Sequence, residues 1–292
     1  MLKIIEKTKI WFSISLIIIL IGIFTMATKG LEYGLDFKGG TVVEINVGKD
    51  FNKSDIDNIT KKYASDIQSN KVNNTSIELK SATLTSDDVS NIVKDIKAKY
   101  KDSSLVNQEQ IGAAIGKEAR VKALQAVAVA IVFIFIYIGF RFEIKFGAAA
   151  IISLIHNVLI MLSVYAVLRV PIDSSFIAAA LTVIGFSVHD TIVVFDRIRE
   201  NEKSMRRADA TIVANASLTQ TLARSINTVL TVVITLTSVY ILVPSVRIFS
   251  EPILIGIITG CYSSLCIATP FWVILKKRFA KKRNGGELKP AK

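Results

Sequence analysis

Residues 174 to 200, SSFIAAALTVIGFSVHDTIVVFDRIRE, decide how the rest of the chain is read, because a run long enough to cross a bilayer carries His189 and Asp190 inside it. An ionised carboxylate is expensive in hydrocarbon, so an acid at that depth marks a proton relay or an ion site and needs a partner. Working outward, five more apolar runs are long enough to span at about 20 residues per 30 Å of hydrocarbon. They lie near 10 to 28, 123 to 140, 146 to 168, 222 to 243 and 252 to 275, with the quoted run spanning 174 to 196. The first is too long for a signal core and no small-residue cleavage site follows it, so it is expected to remain as a span.

Of the 292 residues, 51% are hydrophobic, yet 36 are basic and 24 acidic, so charge and apolar content are segregated along the chain. That is the composition of a polytopic membrane protein. The +12 excess does not point to nucleic acid, because the basic residues flank the apolar runs and no nucleic-acid motif is present. Lys3, Lys7 and Lys9, Arg141 and Lys145, the group from Arg197 to Arg207, and the tail KKRFAKKR fall on one side. The opposite short connections hold only Arg169 and Arg247, which predicts both termini in the cytoplasm.

Four regions follow: 1–28, the cytoplasmic N-terminus and first span; 29–122, an extracytoplasmic domain; 123–275, five further spans; and 276–292, a basic cytoplasmic tail that frays into disorder. The 29–122 segment carries 15 basic and 14 acidic residues and has no His or Cys, so no catalytic constellation is visible in it. Its pattern predicts an α+β module: strands near 41–47, 75–81 and 104–109, and helices near 53–69 and 86–100. Asp55 and Asp57, and Ser86 with Asp87 and Asp88, supply acidic or capping residues at the helix starts. The module opens on GLDFKGG, 34 to 40, where Gly34, Gly39 and Gly40 permit a tight junction around Asp36. It lacks the Lys-Ser/Thr ending of a phosphate-binding loop.

GLDFKGG after a first span, a small external domain, five more spans, and GFSVHDTIVVFDRIREN (185–201) followed by SLTQTLARS (217–225) together resemble the SecF family. Its members work with SecD beside the bacterial Sec channel, SecYEG, and belong to the resistance-nodulation-division superfamily. The resemblance implies a six-span bundle forming half of such a unit, no enzymatic activity, and an accessory role in the export of preproteins across the cytoplasmic membrane. It implies the proton gradient as energy source rather than a bound cofactor, with Na⁺ as an alternative coupling ion. Two positions depart from the family pattern: His189-Asp190 stands where Asn-Asp is usual, and His156-Asn157 where His-Asp is usual.

The residues themselves make a parallel case. Ala179, Val183, Ser187 and Asp190 share one helical face, small and partly polar, which suits contact with another helix. His189 is one step round and points elsewhere. In the fifth span Ser217, Thr221, Arg224, Thr228, Thr231, Thr235 and Ser238 recur every three or four residues, as a hydrated seam would, though hydroxyls also bond back to their own helix. Asp190 and Arg224 are expected at equal depth on antiparallel neighbours, so a buried ion pair between them is predicted as the coupling element.

Other chemistries fit less well. His156, His189 and Asp190 offer too few ligands for a divalent-cation site, and Ser187 and His189, two apart on a helix, point about 200° apart and cannot act as nucleophile and base. Cys261 and Cys266 lie on different faces, so no disulfide is expected. Gly256 and Gly260 suit close packing within the bundle or against SecD. A stand-alone transporter and a passive scaffold remain the competing functional classes.

Overall fold

The computed structural model describes residues 2–72 and 74–285, so the Gly- and Pro-bearing end of the tail, expected to fray, lies outside the described residues. Among these, six helices are long and apolar enough to cross a membrane: Ile5–Lys29, Ala113–Arg141, Ile144–Leu168, Ser174–Ser204, Ala210–Leu242 and Arg247–Phe279. The number of spans agrees with the hydropathy reading, but the helices run well past the apolar runs, because a helix continues into water wherever its backbone stays bonded. We label the helices α1 (Thr8–Lys29), α2 (Leu35–Lys38), α3 (Lys53–Thr60), α4 (Ser86–Lys99), α5 (Ala113–Arg141), α6 (Ile144–Leu168), α7 (Ser174–Ser204), α8 (Ala210–Leu242), α9 (Arg247–Ser263) and α10 (Thr269–Gly285). The strands are β1 (Gly40–Asn46), β2 (Gln68–Lys71), β3 (Ser76–Ser81) and β4 (Ser104–Ile111). The expected division at 122/123 falls inside α5.

The chain forms two compact units: Glu32–Ala126 with Pro171–Ser174, and the remainder, which holds the helical bundle. In the bundle, α6, α7 and α9 with α10 are buried over much of their length, while α1, α5 and α8 expose apolar side chains such as Phe24, Phe133 and Leu230. Phe146 anchors the core, its ring 4.9 Å from Phe195 and stacked at 5.2 Å on Trp272. Such ring pairs add about 1 kcal/mol to the area they bury. Gly22 of α1 and Ser163 of α6 are both buried, and a Cβ on Gly22 would fall 2.5 Å from the Ser163 Cα, so these two helices meet at backbone distance. At the N-terminal end, the Asn215 side chain of α8 accepts from the Ile4 and Ile5 amides at 3.1 Å and donates to Glu6.

The smaller unit is an antiparallel sheet of order β2-β3-β1-β4. Alternation in β1 turns Val43 and Ile45 inward opposite Leu79 and Ile77 of β3. They form one core with Ile56 of α3 and Val89, Ile92 and Ile96 of α4. The helix expected over 53–69 ends at Thr60, and residues 68–71 instead pair with Ile77–Lys80. This pairing satisfies backbone groups that a lone helix end would leave unbonded. The cap of α4 is Thr85 rather than Ser86, in a reciprocal capping box with Asp88.

Asp66 fastens the turn after β3: it accepts from Ser81 Oγ at 2.8 Å, the Ala82 amide at 2.8 Å and Thr83 Oγ1 at 2.6 Å. Partial desolvation opposes ionisation, but these donors outweigh it and hold the carboxyl below its usual range. Its contribution to stability is therefore present above the unfolded value near pH 3.9 and is lost as pH falls through the lower folded value. Asp66→Ala is expected to lower the stability of this unit by roughly 1–3 kcal/mol at neutral pH and to remove that part of its acid sensitivity. Thermal melts of the full chain at neutral and acid pH, followed on the sheet, check both.

Candidate functional site

Ala179, Val183, Ser187 and Asp190 are all buried, so this face of α7 meets protein. Asp190 is 5% exposed, and its Oδ1 accepts from Ser225 Oγ of α8 at 2.7 Å. Around it runs a seam of small polar side chains. Asn157 of α6 donates to Ser187 Oγ at 2.9 Å, Thr191 Oγ1 lies 2.8 Å from Ser264 Oγ, and Ser153 Oγ lies 2.9 Å from Ser263 Oγ. Ser264 opens a π-helical turn, Ser264–Ala268, between α9 and α10. Such turns occur at functional sites because they rotate the following residues out of α register. Asp190 Oδ2, Asn157 Oδ1 and both His156 nitrogens are buried without a hydrogen-bond partner among the described residues. Orphaned polar atoms at this depth are costly and mark where a proton, water or ion belongs.

The expected Asp190–Arg224 ion pair is not present among the described residues; the carboxylate's partner is the next residue, Ser225. Asp190 lies fourteen residues from the end of α7 and Arg224 fourteen from the start of α8, so the two are level by count along their helices, yet they do not face each other. The buried face of α8 runs through Ala214, Ser217, Leu218, Thr221 and Ser225, and the last step of four instead of three turns Arg224 outward. The seven-residue stripe is thus no single polar seam: Ser217 and Thr221 are buried, Thr228 is half-buried, and Thr231, Thr235 and Ser238 are exposed. Each of these six hydroxyls bonds back to a carbonyl of α8 one turn earlier, Thr228 to that of Arg224 at 2.9 Å.

His189 and Arg224 instead line a groove of about 660 Å³, walled by Ile192 and Val193 and rimmed by Asp196 and Arg197. His156 is buried beside Tyr262, 6.0 Å between ring centres, whereas His189 is exposed, so the two histidines do not converge. The rim charges are mutually paired, Arg199 with Asp196 at 3.0 Å and Arg197 with Glu200 at 2.8 Å. Gly256 and Gly260 pack inside the bundle, a Cβ on Gly256 falling 2.3 Å from Val183. Cys261 and Cys266 are free thiols.

GLDFKGG forms a second built feature. Gly39, at φ +81°, lies so close to the first residue of α5 that a Cβ would fall 2.8 Å from the Ala113 Cα, and Gly40 is equally tight against the Ser81 carbonyl. Residues 32–36 are bonded along the loop before α7. The Ile172 amide donates to the Glu32 carbonyl at 2.8 Å, the Gly34 amide to the Ile172 carbonyl at 2.7 Å, and the Ser174 amide to Asp36 Oδ2 at 3.1 Å. Sequence spacing offered no signal for this contact, which joins residues more than 130 apart.

Comparison with known proteins gives the same frame. Residues 91–278 match the family described as protein export membrane protein SecD/SecF, C-terminal, and residues 24–50 match the SecD/SecF GG motif. The chain is 34% identical to a protein translocase subunit SecF of Sebaldella termitidis, over 96% of this chain and 93% of that one. It is 35% identical to SecDF of Bacillus subtilis, over 95% of this chain but 38% of that longer protein. A crystal structure of SecDF from Thermus thermophilus, a translocon-associated membrane protein, superposes with a TM-score of 0.82 at 28% identity, covering 95% of this chain and 39% of that one. Six spans and the GLDFKGG junction thus coincide with two family matches and with relatives covered over most of their length: the chain belongs to the SecD/SecF family of protein-export membrane proteins.

Proposed function

We propose that this protein is an accessory subunit of Sec-dependent export that works with SecD beside SecYEG and uses the electrochemical gradient to promote preprotein movement across the cytoplasmic membrane. Both termini lie in the cytoplasm and the sheet-bearing unit outside. The observation that carries the coupling is Asp190: a membrane-depth carboxylate with one hydroxyl partner and one orphaned oxygen. Such a group is stable at that depth when it holds a proton or another cation, and taking that cation from one side and releasing it to the other drives α7 against α8. The cation is H⁺ or Na⁺. No covalent chemistry is involved; the output is mechanical, delivered by the extracytoplasmic unit to the emerging chain. His189 and Arg224 border the groove on the cytoplasmic side of Asp190 and serve as its polar exit and its fixed positive charge.

The test is export in membrane vesicles depleted of this chain and then resupplied. Resupply should restore a gradient-stimulated component that uncoupler removes, and the chain should co-purify with SecD. Export whose gradient response is the same with and without the chain refutes the reading.

A further inference from the structure

The outer end of α7 carries a feature that the ion-coupling reading does not use. The first N–H groups of a helix have no partner in their own helix, and the positive end of the helix dipole is concentrated there. At Ser174, the first residue of α7, the amide donates to a carboxylate that comes not from the local sequence but from Asp36, in the middle of GLDFKGG. Asp36 is itself held in the four-residue helix α2, and the chain just before it is bonded edge to edge with the loop before α7 through Glu32, Tyr33, Gly34 and Ile172. Ile172 is 4% exposed, and a Cβ on Gly34 would fall 2.8 Å from Asp173 Cβ, so the strap has no slack. Asp190 lies sixteen residues along the same unbroken helix, about 24 Å at 1.5 Å per residue.

We infer that Asp36 is a positioning residue for export: its carboxylate caps α7 from outside and makes GLDFKGG the strap through which displacement of that helix reaches β1. The inference rests on the proposed coupling at Asp190 for its driving motion, but the cap stands on its own geometry. A strap of backbone hydrogen bonds resists pulling along the helix, and the side-chain cap keeps the first turn wound, so motion is passed on instead of being absorbed by fraying. Asn retains an accepting oxygen at the same position, whereas Ala retains none.

The experiment uses the full chain with SecD, comparing Asp36→Ala and Asp36→Asn by amide hydrogen exchange at residues 174–178 and by gradient-stimulated export. In Asp36→Ala, exchange in this first turn should rise about fivefold and the gradient-stimulated component of export should fall about threefold or more, with chain abundance and SecD co-purification unchanged. Asp36→Asn should restore both. Unchanged exchange in Asp36→Ala refutes the cap; faster exchange with normal gradient-stimulated export refutes the positioning role; Asp36→Asn as defective as Asp36→Ala refutes capping as the cause. A normal gradient response in an Asp190 variant would overturn the coupling at that acid and leave the exchange result untouched, so the two failures are distinguishable.

Discussion

Asp190→Asn is expected to abolish the gradient-stimulated part of export while leaving the chain folded and its gradient-independent export intact. Asn fills the same volume and can still accept from Ser225 Oγ, 2.7 Å away in the native protein, so packing and the hydrogen bond survive. What is lost is the ability to carry a cation. Moving one charge through 100 mV supplies about 2.3 kcal/mol, so the stimulation at stake is up to roughly fiftyfold. Ser225→Ala is the companion: it keeps the acid and removes its donor, at a cost of about 1 kcal/mol, and should leave a weakened but present response. Export should be measured under an imposed proton gradient and, separately, an imposed sodium gradient, which also identifies the ion. A full gradient response in Asp190→Asn would end the account of coupling given above.

The second large effect is structural. Gly22→Ala, and more so Gly22→Val, is expected to pry α1 from α6. The added Cβ would meet Ser163 at 2.1 Å from Oγ and 2.5 Å from Cα, and the last of these belongs to the backbone, which no rotamer change relieves. Overpacking a close contact costs about 1–3 kcal/mol, and with no side chain able to yield the upper end applies, about 5 °C or more in Tm. Gly185 provides the control, since a Cβ there meets nothing within 4 Å. Thermal melting of the detergent-solubilised chain compares the variants, and a Gly22→Ala protein that melts like Gly185→Ala would refute the backbone contact.

Gly22 also shows where local patterns mislead. The GxxxG of Gly256 and Gly260 stands out in the sequence and does pack inside the bundle, but a contact at backbone distance is made by Gly22, whose partner is a serine, Ser163, far along the chain. The same holds for β2. Residues 68–71, QSNK, are polar and lack strand composition, and they become a strand because β3 offers an unpaired edge.

Alone, the sequence determined the six spans, the α+β character of the sheet-bearing unit, and the family. These follow from hydropathy, from two-residue and 3.6-residue periods, and from motifs, all of which are local. Only the tertiary structure decided which side chain of α8 meets Asp190, because steps of three and of four residues both continue a helical face. Moving from Arg224 to Ser225 turns the helix by 100°, and neighbouring helices alone select between them. Only the fold, likewise, brought Asp36 to the first amide of α7. A hydrogen bond between residues so far apart leaves no mark on either local sequence, and it exists because the loop 171–174 is folded into the sheet-bearing unit.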